Sequence, residues 1–339
     1  MPGRVLVTGV SGFVGGHIAR VLLDAGYTVR GSVRDLGRAD GMRAALAAAG
    51  CDVSRFEVVA LDLLSDAGWA AAAEGCDHLQ HVASPFVIRM PKDRGDLVRP
   101  AVEGTRRAVS AALAAGARRL VVTSSIAAVV YGHSARTQPF TEADWTDLDG
   151  PGVTAYTESK TRAEREAWSL AEAAGARDRL AVINPGAVLG PLLDDDVGTS
   201  GDLVRRLLAG AMPIAPPVVL GYVDVRDVAA AHLAAMERPA AGGRRFLVSG
   251  ETLSLLEVAD ALRASFPAYA RRLPRAEMPD WLARGLARLV PSLRDAAAEI
   301  GRRKPTDPAA AEWLLGRPLL PARAAAVATA RSLVERKLV

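Results

Sequence analysis

The sequence predicts an α/β fold, a doubly wound parallel sheet with a smaller, mainly helical C-terminal lobe. From residue 4 to about residue 191, short stretches of β-branched and apolar residues alternate with longer helical patterns, as in a parallel sheet with helices on both faces. A glycine-rich turn joins the first of these stretches to the first helical pattern. After about residue 246 the alternation gives way to helical patterns interrupted by prolines.

Length and composition place this chain among folded globular proteins. Its 339 residues suffice for two domains, or for one domain with an added lobe. Hydrophobic residues make up 50% of the chain and charged residues 24%, which is typical of a globular domain. The formal net charge is +4, but the arginines are scattered among acids and no basic run contains aromatic residues. We therefore expect no nucleic-acid partner.

The cysteines and the hydrophobic pattern predict a protein of a reducing compartment. Cys51 and Cys76 fit no metal-binding or redox spacing, so we expect free thiols, no metal site and a cytoplasmic location. The sequence has no signal-peptide core at its start and no apolar run of membrane-spanning length. A membrane partner is therefore not expected.

The first strand and its glycine turn predict a dinucleotide site. Residues 4–8 are β-branched and apolar, and a helical pattern follows the turn up to Ala25. Glycines permit a tight turn and let the backbone approach a pyrophosphate at the positive N-terminus of the helix. The turn residues expected to bind the cofactor are Gly9, Ser11, Gly12, Phe13, Val14 and Gly15.

The end of the second strand bears on the choice of cofactor. Residues 27–33 form the strand pattern, and Arg34 and Asp35 follow about where the adenosine ribose is expected. An acid there accepts hydrogen bonds from the ribose hydroxyls of NAD, whereas an arginine pairs with the 2′-phosphate of NADP. Because Arg34 comes first, we favour NADP, with Arg30 and Arg38 as weaker partners. The alternative is a solvated Arg-Asp turn.

The next two strands extend the same edge of the site. A helix over about residues 38–49 leads to a strand ending at Leu63, and another helix leads to a strand over residues 77–83. Asp62 can bond the adenine amino group or cap a helix. His81 is expected to pack at its strand end. The predicted cofactor contacts in this region are Asp62, Leu63, Val82, Ala83 and Ser84.

The fifth strand ends in hydroxyls. A helix over about residues 96–115 precedes the strand pattern of residues 118–125, which closes on Thr123, Ser124 and Ser125. Parallel strands place their carboxyl ends at the ligand crevice, so a serine there can bond a substrate carbonyl. We prefer Ser125, while Ser124 is satisfied by neighbouring backbone. Residues 131–153 are predicted to form a long surface loop.

The helical segment after that loop carries a candidate acid and a cation that is expected to change the pKa of that acid. Tyr156 and Lys160 are four residues apart, so they lie on the same helix face and can meet one ligand together. A free tyrosine has a pKa of about 10, and a nearby cation is expected to lower it. Lysine is scarce here, at only four of 42 basic residues.

Taken together, these motifs resemble the extended short-chain dehydrogenase/reductase family. The resemblance rests on Thr8-Gly-x-x-Gly-Phe-x-Gly15, Thr123-Ser-Ser125, Tyr156-x-x-Ser-Lys160 and Asn184-Pro-Gly-Ala-Val-Leu-Gly-Pro191, in the family's order. Residues 222–232 and 311–318 look like the family's later strand-helix and closing helix. The stretches 33–35, 61–63 and 81–85 look most like the branch of dihydroflavonol reductases, cinnamoyl-CoA reductases and microbial aldehyde and ketone reductases.

The resemblance implies a Rossmann-type fold, the cofactor NADP(H) and roles for the site residues. Tyr156 would protonate the carbonyl oxygen, Ser125 would hold that oxygen, and Lys160 would bind the nicotinamide ribose and lower the tyrosine's pKa. Further cofactor contacts would be Thr123, Tyr156, Lys160, Pro185, Gly186 and Val188. The predicted walls of an apolar substrate pocket are Phe86, Val87, Val130, Tyr131 and Leu189. We therefore expect a reductase of hydrophobic aldehydes or ketones, acting as a monomer or homodimer.

Three other functions stay open on this scaffold. One is an NAD-dependent nucleotide-sugar epimerase or dehydratase, which Arg34 argues against; another is a hydroxysteroid dehydrogenase. A non-catalytic NADP-binding regulator would be expected to have lost the Tyr-Lys pair. We expect the cofactor domain to comprise residues 1–191 plus about 218–245, and the substrate lobe about 192–217 plus 246–339.

Two further patterns invite a functional interpretation that we do not favour. Asp224, Arg226, Asp227 and His232 are interpreted as a structural turn and helix face. Residues 281–290 are basic and amphipathic, which suits a membrane surface. They are expected to form a lobe helix with its apolar face inward.

Overall fold

Ten strands form two sheets in a computed structural model that describes residues 2–85, 93–289 and 299–339. The predicted pocket residues Phe86 and Val87 lie outside these described residues. In chain order the strands are β1 Arg4–Thr8, β2 Thr28–Val33, β3 Phe56–Ala60, β4 His78–His81, β5 Arg119–Thr123, β6 Leu180–Pro185, β7 Ala187–Leu189, β8 Val219–Asp224, β9 Arg244–Val248 and β10 Thr252–Ser254.

The larger sheet has the topology that the sequence predicts. Within the described part of the chain, seven parallel strands follow the order β3-β2-β1-β4-β5-β6-β9. The chain runs outward from β1 to β3, then returns past β1 to build the other half from β4. Such a reversal opens a crevice at the carboxyl ends of the two central strands. Here those ends are Thr8 and His81.

Helices cover both faces of this sheet. Their bounds are α1 Phe13–Asp24, α2 Ala39–Ala48, α3 Trp69–Ala73, α4 Gly95–Ala114, α5 Ala155–Ala173, α6 Gly198–Leu208, α7 Val225–Glu237, α8 Leu255–Ser265, α9 Asp280–Leu289, α10 Ala309–Leu315 and α11 Ala322–Glu335. No described helix is both long and apolar enough to cross a membrane.

Alternation along the strands produces the two layers of the core. In β1, Val5 and Val7 pack in the cluster that contains α1, α2, α7 and α10, whereas Leu6 packs with α3, α4 and α5. Successive strand residues point to opposite faces, so a strand with helices on both sides is apolar at every position. This explains why the buried strands read as continuous apolar runs.

The second lobe has its own core and a small sheet. Strand β8 pairs parallel with β7 and antiparallel with β10. A buried cluster joins these strands to α6, α8 and α11, with Tyr222 as its largest side chain. This lobe stands beside the carboxyl ends of the main sheet because β7 follows β6 after a single residue, Gly186.

The predicted domain bounds differ from this architecture in three places. The boundary at residue 245 cuts through β9, which pairs with β6 along its whole length. Ala311 and Leu314 of α10 pack on the main sheet with β9, although residues 246–339 were expected to be lobe. Conversely, β8 lies in the small sheet. The sequence pattern finds strands and helices, but it does not specify which sheet a late strand joins.

Residues 131–153 form a long loop without helix or strand, as the sequence predicts, but buried residues anchor it to the protein surface. Phe140 and Thr146 are buried. The Thr146 hydroxyl donates to Ala127 O at 2.8 Å, and the amide of Phe140 donates to Pro305 O at 2.8 Å. Side-chain and backbone bonds therefore fold this glycine- and proline-rich stretch onto the body of the protein.

Helix α9 confirms the helical prediction but not the inward apolar face. Ala283 and Ala287 are buried, whereas Trp281, Leu282 and Leu286 are exposed. The small residues of this helix contact the lobe. Residue 290 lies outside the described residues.

Three buried histidines act as structural residues. Burial lowers the pKa of His17 to about 4 and the pKa values of His81 and His232 to about 3. His17 bonds Pro191 O at 2.9 Å, and His81 bonds the Thr8 hydroxyl at 2.9 Å. Each imidazole therefore remains neutral inside the fold at pH values where the unfolded chain is protonated.

This neutrality predicts acid-sensitive stability. Because the three folded pKa values lie below the unfolded value of about 6.5, stability is complete above pH 6.5 and falls as pH decreases toward 4. Between pH 7.5 and 5.5 the free energy of unfolding should fall by about 4 kcal/mol, or about 1.4 per histidine. Urea unfolding at the two pH values measures this. His17→Gln should shrink the fall by about one third, and a pH-independent free energy would contradict the account.

Candidate active site

The glycine turn has the crowded backbone that a nucleotide site requires. Gly9 has φ +67°, and a Cβ on Gly15 would lie 2.2 Å from Gly9 O. Gly12 is the N-cap of α1 and has no side-chain cap, and its own amide donates to Gly9 O at 3.1 Å. The first amides of α1, from Phe13 and Val14, therefore have no side-chain acceptor at the positive end of the helix.

The charged residues after β2 differ in what they already bind. Arg34 is exposed, whereas the Asp35 carboxylate accepts the Gly37 amide at 2.9 Å within its own turn. Arg38 donates to Ser11 O at 3.2 Å, so its guanidinium lies against the glycine turn. Arg30 is held by Glu57 at 3.0 Å. Of these arginines, Arg34 and Arg38 lie at the predicted ribose end of the site. Arg30 does not, because it is paired with Glu57.

The end of β4 is tied to β1, whereas the residues after β3 form a turn of their own. The Thr8 hydroxyl accepts the amides of Val82 and Ala83 at 3.0 and 3.1 Å. Ala83 lies close to Gly9, since a Cβ built on Gly9 would be 2.8 Å from the Cα of Ala83. Asp62 accepts the Leu64 amide at 2.8 Å and so closes a turn; the alternative of a helix cap is wrong, because α3 begins at Trp69. Leu63 and Ser84 complete this partly buried rim.

The hydroxyls at the end of β5 have three different partners. Ser124 donates to Glu164 Oε2 at 2.6 Å. The Thr123 hydroxyl bonds His232 Nε2 at 3.0 Å, while His232 Nδ1 lies 2.7 Å from Gln80 Oε1. Since Gln80 Oε1 only accepts, Nδ1 carries the proton and Nε2 accepts from Thr123. The Thr123 hydroxyl therefore donates to His232, and the predicted cofactor contact of Thr123 stays a prediction.

Ser125 is the hydroxyl directed toward the tyrosine. It is hydrogen-bonded to Tyr156, and it accepts the Ala127 amide at 3.1 Å. Thr154 starts α5 immediately before this tyrosine through a reciprocal capping box with Thr157. This cap sets the first turn of α5, and so the position of Tyr156 beside the end of β5.

Tyr156 and Lys160 share one face of α5, as their spacing predicts. Lys160 Nζ lies 5.9 Å from the centroid of the Tyr156 ring. Burial lowers the pKa of Lys160 to about 8, and the charge of Glu164 opposes that decrease. At neutral pH the lysine therefore remains largely an ammonium ion.

The expected lowering of the tyrosine pKa is not observed. Burial raises the pKa of Tyr156, and only its hydrogen bond with Ser125 acts in the other direction. Desolvation of the buried phenolate outweighs this hydrogen bond, so the net change in the pKa is upward. The phenol consequently holds its proton at neutral pH.

A buried carboxylate behind these residues was not anticipated from the sequence. Glu164 has a fully buried side chain and pairs with Arg245, whose side chain is 7% exposed, at 2.5 Å. Ser124, Asn184 and Trp168 also donate to it. We call these five residues the Glu164 network. A glutamate four residues after Lys160 was the available signal, because that spacing puts it on the same helix face.

The predicted substrate pocket is only partly supported. Val130 and Leu189 are 2% and 1% exposed and belong to core clusters, so they are not pocket walls. Tyr131 is partly exposed, and burial raises its pKa to about 12, with a further contribution from Tyr156. Strand β7 explains Leu189, because alternation turns Val188 toward the site edge and Leu189 into the lobe core.

One cation near this pocket escaped the sequence analysis. Lys304 Nζ lies 3.6 Å from the centroid of the Tyr131 ring, and Lys304 is paired with Glu299. Burial lowers the pKa of Lys304 to about 7. The Phe140–Thr306 bridge brings this segment to the site. The substrate side is therefore less apolar than predicted.

The strip after β6 borders the same crevice. Pro185 is buried, while Gly186 and Val188 keep partial exposure. A Cβ on Gly186 would lie 2.4 Å from Gly221 O, so only glycine allows the two lobes this approach. The site thus combines a glycine turn, a Ser-Tyr-Lys group and a narrow backbone strip.

Sequence comparison gives matches over most of the chain. The profile of the NAD dependent epimerase/dehydratase family matches residues 5–249. Cinnamoyl-CoA reductase 1 of Oryza sativa subsp. japonica is 39% identical over 268 residues, which cover 78% of this chain and 76% of the relative. Ketoreductase azaE of Aspergillus niger is 33% identical over 302 residues, covering 84% and 88%.

Comparison of structures gives the same kind of relative. The yeast methylglyoxal/isovaleraldehyde reductase Gre2, crystallised with NADPH, superposes with a TM-score of 0.80 at 26% identity. The match covers 98% of this chain and 99% of the yeast protein. Both lobes described above therefore have counterparts in that reductase.

Proposed function

The chain belongs to the NAD dependent epimerase/dehydratase family, the extended short-chain dehydrogenases/reductases, and on that premise we propose that it is an NADPH-dependent reductase of hydrophobic aldehydes and ketones. It is an oxidoreductase, as its relatives are. The observation that carries the finer proposal is the hydrogen-bonded pair Ser125 and Tyr156 beside Lys160, at the end of β5.

NADP(H) fits the residues that the chain presents. The glycine turn leaves no room for a Cβ at Gly15 and directs α1 toward a pyrophosphate. The exposed guanidinium of Arg34 suits the additional 2′-phosphate, while the Asp35 carboxylate is held within its own turn. Pro185, Gly186 and Val188 are proposed to border the nicotinamide. When bound, NADPH supplies the hydride.

The chain's own residues handle the proton and the developing negative charge. Tyr156 holds a proton on Oη at neutral pH and is proposed to deliver it to the carbonyl oxygen. The Ser125 hydroxyl, bonded to that phenol, orients the oxygen between them. Lys160 is proposed to bond the nicotinamide ribose and to stabilise the phenolate left after proton transfer.

The proposed substrate is a bulky hydrophobic carbonyl compound. The support is the partly buried Tyr131 ring near Tyr156, together with the relatives, which include cinnamoyl-CoA reductases. Lys304 over that ring offers a polar group at one end of the pocket.

The proposal is tested first on the freshly purified protein. Released nucleotide is analysed, and the protein is then titrated with NADPH and with NADH by fluorescence. We expect empty protein that binds NADPH about tenfold or more tightly than NADH, a difference of about 1.4 kcal/mol. Protein that retains NAD and ignores NADPH would instead indicate an epimerase or dehydratase.

Arg34→Ala should raise the Michaelis constant for NADPH by about tenfold or more and leave that for NADH unchanged, because a charge-assisted contact to phosphate is lost. Steady-state kinetics with both cofactors measure the ratio. Arg118→Ala is the matched control, since this side chain is 69% exposed at the amino end of β5. Equal effects of Arg34→Ala on the Michaelis constants for both cofactors would contradict the proposed contact between Arg34 and the 2′-phosphate.

A further inference from the structure

The Glu164 network joins α5 to three strands of the main sheet. Glu164 lies four residues after Lys160 and eight after Tyr156, on the same face of α5. Its partners come from the end of β5, from β6 and from β9. A single carboxylate on the helix of Tyr156 and Lys160 thus contacts three strands of the sheet, among them the one that ends at Ser125.

The carboxylate is fully bonded within the described part of the chain. Oε1 accepts Arg245 Nε at 2.5 Å and Trp168 Nε1 at 3.3 Å. Oε2 accepts Ser124 Oγ at 2.6 Å, Asn184 Nδ2 at 2.7 Å and Arg245 Nη2 at 3.3 Å. Donors of this number fix the orientation of a buried carboxylate.

One of these donors reaches the catalytic serine directly. Asn184 Nδ2 bonds Ser125 O at 3.1 Å as well as Glu164. The amide therefore links the backbone of Ser125 to the carboxylate. Because Ser125 and Tyr156 are hydrogen-bonded to each other, a shift of Asn184 would misplace the pair.

Arg245 holds the far side of the carboxylate. Its Nη1 donates to Glu142 O at 3.0 Å and Asp144 O at 2.7 Å, and its guanidinium carbon lies 3.7 Å from the centroid of the Trp145 ring. The guanidinium is therefore fixed by groups outside the active site. Its charge faces Glu164 and not the cofactor crevice.

The electrostatic target of the carboxylate is Lys160. The titratable groups that face this ammonium are Tyr156 and Glu164 from α5 and His81 from β4, with Arg245 beyond Glu164. His81 is neutral at physiological pH, since burial lowers its pKa to about 3. Glu164 is thus the anion of this group, and burial alone would drive the proton off the lysine.

We propose that Glu164 is a positioning residue that keeps Lys160 protonated and fixes Ser125 through Asn184, with Arg245 orienting its carboxylate. This inference rests on the proposed function for its catalytic meaning. The predicted effect of Glu164 on the protonation of Lys160 concerns the protein alone, so it can be measured without catalytic turnover.

The direct test is the titration of Lys160 by NMR. The chain has four lysines, so protein labelled with carbon-13 at the lysine Cε gives a simple spectrum, and loss of one signal in Lys160→Arg assigns it. In the unmodified protein the midpoint should lie at about pH 8. In Glu164→Gln it should fall by about one unit or more, since an opposite charge nearby is removed. An unchanged midpoint overturns the proposal.

Two further variants separate the effect of the Glu164 charge from the general effect of altering a buried ion pair. Arg245→Met removes the opposing cation and should move the midpoint upward, opposite to Glu164→Gln. Asp227→Asn alters another fully buried carboxylate, which pairs with Arg317 at 2.6 Å on α7, and should leave the midpoint in place. Shifts of the same sign in all three variants would reduce Glu164 to a structural role and overturn the proposal.

Activity then separates this inference from the proposed function. With an active carbonyl substrate, the alkaline limb of kcat should move in the direction of each Lys160 midpoint. If the midpoints shift as expected but no carbonyl is reduced, only the proposed function fails. If reduction occurs while the midpoint ignores Glu164, only this inference fails.

Discussion

Replacing Tyr156 with phenylalanine should lower the turnover of carbonyl reduction by about 10²- to 10⁴-fold, the range typical of a lost general acid. The ring remains in place on α5, but the hydroxyl bonded to Ser125 disappears. Affinity for NADPH should change little, because the glycine turn and Arg34 are untouched. Measuring kcat at saturating NADPH, and NADPH binding by fluorescence, separates the two effects.

Tyr131→Phe is the matched control for that variant. Tyr131 also has a raised pKa, about 12, and interacts with Tyr156, so the substitution removes a neighbouring hydroxyl of the same kind. Its effect should fall mainly on the Michaelis constant of the substrate. Full turnover in Tyr156→Phe, or a larger loss of turnover in Tyr131→Phe than in Tyr156→Phe, would show that Tyr156 is not the acid.

Arg245→Met should lower the free energy of unfolding by about 3–5 kcal/mol, the cost of leaving one partner of a buried ion pair. Glu164 has no exposed surface and would keep its charge without a counter-ion. The carbonyls of Glu142 and Asp144 would also lose a donor. Urea unfolding near pH 7.5, monitored by circular dichroism, gives the difference.

A less buried ion pair between α4 and α5 provides the control. Arg106 pairs with Glu166 at 2.7 Å, with the arginine side chain 55% exposed, so Arg106→Met should cost at most about 1 kcal/mol. The double variant Glu164→Gln, Arg245→Met should recover at least half of the loss, because no buried charge is left unpaired. A loss below about 1 kcal/mol in Arg245→Met would show that the pair does not stabilise the fold.

Local sequence chemistry carried the prediction of the fold and the front of the site. Three signals were used: the glycine turn, the strand-end serine and the Tyr156–Lys160 spacing. Each of them spans only a few residues, so the rules for strands, turns and helices predict its position. The parallel sheet with helices on both faces followed from the βαβ alternation. The seven-stranded sheet in the described residues and the reductase relatives confirm the fold and the family.

What the sequence missed depends on contacts between distant residues. Glu164 and Arg245 are separated by 81 positions, and Lys304 reaches Tyr131 only through the Phe140–Thr306 bridge. No local pattern encodes such pairs. The sequence pattern also does not give the extent to which each side chain is buried. The spacing of Tyr156 and Lys160 gives proximity, but the direction of the tyrosine's pKa depends on how much protein surrounds it.

Transfer of deuterium from labelled NADPH to a substrate carbon tests the central claim most directly. Protein is incubated with NADPH carrying deuterium at the transferred position and a panel of hydrophobic aldehydes and ketones, and the products are analysed by mass spectrometry. We expect one deuterium on the former carbonyl carbon for each NADPH oxidised, and almost none with Tyr156→Phe. NADPH that stays unoxidised with every carbonyl, while a nucleotide sugar is converted without loss of cofactor, would contradict the account.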